Sequence, residues 1–241
     1  MRWLLDYLQL AIGGLFLETE TYRQQRDAAD SLQRGAMLVA LIGIAVGLAT
    51  LIGTTIEALV TPSREAIEQT VYQHLTGMPW YQNLSEAEPD FPAAFDEYFQ
   101  VITPIVIQLT NGDPDILTGF ASVFVLPMFY LLGWLVYGSL AHAIACMFGG
   151  QGGFGQTLGC FALAWSANLL NLVQIVPFAQ VAGTLLLGLI ASYIAIREAH
   201  ELSPSRAFWA IVLVPLVVFV LFACVLSFSF IAFMDSLGNA A

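Results

Sequence analysis

His142 and Cys146 stand four residues apart, one helical turn, and Cys160 begins near the same depth on the next apolar run. An imidazole and two thiols so placed could converge as a three-ligand metal site, but no fourth ligand accompanies them. A second set is made of amides: Asn168, Asn171 and Gln174 recur every third residue along an apolar run. Amides in hydrocarbon must find partners, so they face other helices or line a hydrated path. A third set, Gly150, Gly152 and Gly155, has the spacing G-x-G-x-x-G. That pattern seats a pyrophosphate only where a strand precedes it, a helix follows, and an acid lies about twenty residues on. Here an apolar run precedes it, and Gln174, Ile175 and Val176 stand where the acid belongs. Gly149, Gly150, Gly152, Gly153 and Gly155 are therefore read as a reversing turn between two helices. No nucleotide, cofactor or metal is expected.

The elements that position these residues follow from composition. Of 241 residues, 58% are hydrophobic and 10% charged, with a mean hydropathy of +0.77, which is outside the balance of soluble domains. Lysine is absent and the net charge is −11, so nucleic acid is excluded as a partner. About 20 apolar residues cross a bilayer, and runs of that order lie at about 36–60, 119–148, 157–177, 180–196 and 207–234. The expected fold is all-α: a polytopic integral membrane bundle of about five spans. Residues 1–35 form a cytoplasmic segment with an interfacial helix whose polar stripe is Asp6, Gln9 and Gly13. Residues 36–241 form the membrane domain, with an acidic extracytoplasmic segment of short helices at 61–118.

Orientation follows from arginine. Arg2, Arg23, Arg26 and Arg34 precede the first span, and Arg197 and Arg206 flank the turn before the last, which places the N-terminus in the cytoplasm and the 61–118 segment and C-terminus outside. Gly43 and Gly47 form G-x-x-x-G in the first span, suited to close helix packing within the chain or between copies. Arg197, Glu198, His200 and Glu201 read as a solvated turn. They do not assemble a nucleophile, base and orienter, and no H-E-x-x-H, G-x-S-x-G or paired intramembrane carboxylates occur, so no enzyme is expected.

His142 on a membrane helix, FGGQGGFGQT after it, and then a weakly polar helix with two more spans resemble the Yip1-domain family. Gly149, Gly150, Gly152, Phe154 and Thr157 carry the likeness. Family members often have a proline in the helix after the glycines, where this chain reads LAWSANLLNLV. The resemblance implies a polytopic protein without known chemistry, its eukaryotic relatives associated with Rab GTPases and vesicle traffic. The cytoplasmic parts here offer less than the roughly 800 Å² per partner of a standard interface, so a prokaryotic-type member and no Rab-type GTPase are expected. The expected partners are membrane lipids, other membrane proteins or a second copy. The readings carried forward are a scaffold or trafficking-like component working through helix and lipid contacts, and a small transporter or channel subunit with its path along Asn168, Asn171 and Gln174.

Overall fold

The computed structural model describes residues 2–60, 64–110, 116–176, 179 and 181–238, and no strand occurs among them. The described residues form ten α-helices, in order α1 (Arg2–Leu15), α2 (Thr19–Asp27), α3 (Ser31–Val60), α4 (Arg64–Thr76), α5 (Pro79–Ala87), α6 (Phe91–Thr110), α7 (Ile116–Met147), α8 (Phe154–Ala164), α9 (Thr184–His200) and α10 (Pro204–Gly238). A 3-10 segment, Trp165–Ile175, continues α8.

Among the described residues, three helical stretches are long and apolar enough to cross a membrane: Ser31–Val60, Leu117–Met147 and Phe154–Ile175. They match the first three expected spans, each shifted by a few residues. The expected fourth span corresponds to the 17-residue α9 and the fifth to part of the 35-residue α10. Pro177, Phe178 and Gln180, expected at the boundary between the third and fourth spans, lie outside the described residues, as do 61–63 and 111–115 of the acidic segment.

The turn after α7 shows why glycines stand there. Gly149 has φ +85°, the left-handed conformation that suits a residue without Cβ. Its N–H reaches Cys146 C=O at 2.9 Å, and the Gly150 N–H reaches Ala145 C=O at 2.9 Å. These two bonds satisfy carbonyls that the end of a helix leaves open. The next helix then starts with the Gly153 N–H bonded to Gln156 Oε1 at 2.8 Å.

The glycines of α3 serve the crossing with α7. A Cβ on Gly43 would stand 2.6 Å from Pro127 Cα, and one on Gly47 would stand 2.8 Å from Ser122 O and Val123 Cα. The G-x-x-x-G face is thus occupied within the chain, by the part of α7 that contains its proline. Farther toward the N-terminal end of α3, a Cβ on Gly35 would stand 3.0 Å from Gly159 Cα of α8.

At the arginine-bearing end, α2 covers α8 and α9. Tyr22 is fully buried, its hydroxyl donating to Gly14 C=O at 3.3 Å, and burial raises its phenol pKa above the ordinary value. Gln25 Nε2 donates to Ser31 C=O at 3.0 Å. Helix α1 packs along α8 and the 3-10 segment, and Asp6, Gln9 and Gly13 of its polar stripe turn toward Glu18, Glu20 and Thr21 around a shared cleft. Trp3, Leu4, Leu5 and Leu8 remain exposed on α1. In the acidic segment, α4, α5 and α6 hold together through Tyr72, Trp80, Tyr81, Phe91, Phe95 and Phe99, with ring centroids 5.0–6.5 Å apart. Tyr72 Oη donates to Asp96 at 2.8 Å, which raises the phenol pKa.

Candidate functional site

His142 does not meet Cys160. Cys160 is fully buried and points to the Tyr22 C=O at 3.3 Å, because α2 lies against that side of α8. The neighbour of His142 is His200, from the last turn of α9, with ring centroids 5.2 Å apart. Thr157 lies between them: its Oγ1 is 2.9 Å from His142 Nδ1 and 2.9 Å from His200 Nε2.

The protons can be assigned from the partners. The Gly152 N–H donates to His200 Nδ1 at 3.2 Å, so Nε2 carries the ring proton and gives it to Thr157. Thr157 donates its own proton to Gly153 C=O at 3.0 Å and uses its other lone pair for the His142 Nδ1–H. The His142 Nε2 lone pair then accepts from the exposed Cys146 thiol, whose Sγ lies 3.7 Å away. The chain of bonds therefore begins at the glycine turn and ends at an accessible imidazole–thiol pair.

The turn is built onto His200. A Cβ on Gly150 would run into the His200 ring, and one on Gly152 would overlap the Ala199 carbonyl. Gly155 differs: a Cβ there would meet Leu32 Cβ only at 3.7 Å, an ordinary contact. His200 and Glu198, expected in a solvated turn, are both buried: the glycine turn packs on His200, and α2 lies against this end of α9 at Glu198. Arg23 Nε bonds Glu198 at 2.8 Å, and Arg26 Nη1 bonds Glu201 at 2.9 Å and the Glu198 C=O at 3.1 Å. Glu198 raises the Arg23 pKa, and Arg26 holds the Asp27 carboxyl below its ordinary value. Sequence spacing gives no signal for His200, which comes from 58 residues beyond His142 and is joined to it only by tertiary packing.

The amide stripe divides. Gln174 Oε1 accepts from Thr50 Oγ1 of α3 at 2.8 Å. Asn171 Oδ1 accepts from Thr184 Oγ1 of α9 at 3.4 Å. Asn168 turns its Nδ2 back to Trp165 C=O at 3.1 Å and borders a cavity of about 620 Å³. Tyr137, Phe161, Trp165, Ser192 and Pro215 also line that mostly apolar space.

A comparison with curated proteins finds no match, nor does one with solved structures. The Yip1 domain profile matches residues 12–226, which include α3, the glycine turn, the His142–Thr157–His200 chain and most of α10. The chain belongs to the Yip1 domain family of membrane proteins.

Proposed function

We propose that this protein is a non-enzymatic membrane organiser or trafficking-like component that works through helix and lipid contacts. The observation that carries this reading is the uneven burial of the spans. Only 11% of the α7 apolar window is buried within the chain, against 44% for α3 and 50% for Phe154–Ile175. Phe120, Phe124, Met128, Phe129 and Leu132 of α7 are all exposed. An apolar face of this extent is stable only against lipid or another membrane helix.

The orientation proposed with it puts the N-terminus in the cytoplasm and residues near Asp90 outside. The gathering of Arg23 and Arg26 with the end of α9 supports it, because both arginine groups then occupy one end of the bundle. Reporter fusions near Asp90 should respond as extracytoplasmic and fusions before Arg23 as cytoplasmic. The reverse result removes this topology.

The cavity beside Asn168 favours the second reading, a solute path along the third span. Thermal melting in detergent separates the two. For an organiser, Asn168→Leu, Asn171→Leu and Gln174→Leu should each change stability modestly, by about 0.6 kcal/mol on the scale of measured intramembrane pairs. Lipids should raise the melting temperature and small solutes should not. Ligand bound only to the folded state raises stability by mass action. A solute-dependent rise lost in Asn168→Leu would establish the path and displace the organiser.

A further inference from the structure

We infer that His142, Cys146 and His200 bind one Zn²⁺ ion beside the glycine turn, a role that goes beyond the organiser reading. Their donor atoms already lie within 4.8 Å of one another. A tetrahedral zinc ion with bonds of about 2.0–2.3 Å requires neighbouring donors about 3.3–3.8 Å apart. His142 Nε2 and Cys146 Sγ meet that at 3.7 Å. The widest separation, no more than 4.8 Å, has to close by about 1.0–1.5 Å to reach that range.

The surroundings favour coordination. The His142 Nδ1–H is fixed on Thr157, which leaves Nε2 directed at the ion; this is how ligating histidines are held. Cys146 is exposed in the last turn of α7, next to the glycine turn. Binding releases the thiol proton to water. His200 shifts its ring proton from Nε2 to Nδ1, exchanges Thr157 for the ion and gives up the 3.2 Å contact from Gly152. One thiolate and two neutral imidazoles form the borderline-soft donor set that zinc prefers to magnesium or calcium. Water takes the fourth position.

The test is cobalt and zinc titration of the full-length protein in detergent after removal of metal by a chelator. Co²⁺ should give the visible bands of a tetrahedral site and a thiolate charge-transfer band, and one equivalent of Zn²⁺ should displace it. Cys146→Ser should remove the charge-transfer band, and His200→Gln should weaken binding at least tenfold. X-ray absorption at the zinc edge, on the unaltered protein, should show one sulfur and two imidazoles, which keeps the assignment testable if His200→Gln fails to fold. No saturable binding, a thiolate band that survives in Cys146→Ser, or an edge spectrum with a single imidazole would each overturn the site.

Discussion

Replacing Gly43 and Gly47 together by leucine should force α3 away from α7 and lower the thermal midpoint in detergent more than any amide substitution. Added side chains would stand where Pro127, Ser122 and Val123 now touch the α3 backbone, and a helix backbone has no rotamer with which to withdraw. Overpacking costs about 1–3 kcal/mol per site. The gain in helix propensity on replacing glycine is at most about 1 kcal/mol per residue and does not offset it. Gly188→Ala is the control, because its Cβ would stand 3.9 Å from Ala167 Cβ. That variant should melt no lower than the parent and be up to about 1 kcal/mol more stable from helix propensity. A double leucine variant that also does so would refute the close crossing.

Gly152→Val should have the second-largest effect. Its side chain would collide with the Ala199 carbonyl, which belongs to α9 and cannot yield without moving His200. The substitution should lower stability by about 1–3 kcal/mol or more and speed hydrogen exchange at the amides of the turn. Gly155→Ala, three residues later in the same G-x-G-x-x-G pattern, should be neutral. The contrast distinguishes a turn shaped to seat His200 from glycines present only for flexibility. Equal losses at both positions would contradict the geometry.

Much of this architecture is legible from residue types. Length and hydropathy mark α3 and α7, and G-x-x-x-G marks a close crossing, because both signals are local. The Schellman-type ending of α7 is legible for the same reason: two adjacent glycines follow a long apolar run. The partner of His142 is not legible, because similar depth on the next helix does not say which way Cys160 faces, and α2 draws it to Tyr22. The identity of what covers a helix face is a tertiary fact. The burial of Glu198 and His200 escapes local reading in the same way, since a charged turn reads as solvated until α2 lies over Glu198 and the glycine turn over His200. The change from α to 3-10 at Trp165 follows no proline or glycine, and the stripe of amides gives no hint of it.

That change alters how long the third span is. An α-helix rises about 1.5 Å per residue and a 3-10 helix about 2.0 Å. Phe154–Ile175 therefore extends about 38 Å instead of the roughly 33 Å of a continuous α-helix. The extra reach carries Gln174 down to Thr50 of the much longer α3. Hydrophobic mismatch costs fractions of a kcal/mol per ångström, and 3-10 geometry is the weaker of the two. Rewinding Trp165–Ile175 as α-helix would shorten the stretch by about 5 Å and withdraw Gln174 from Thr50, so the length of this span and its bond to α3 are set by the same eleven residues.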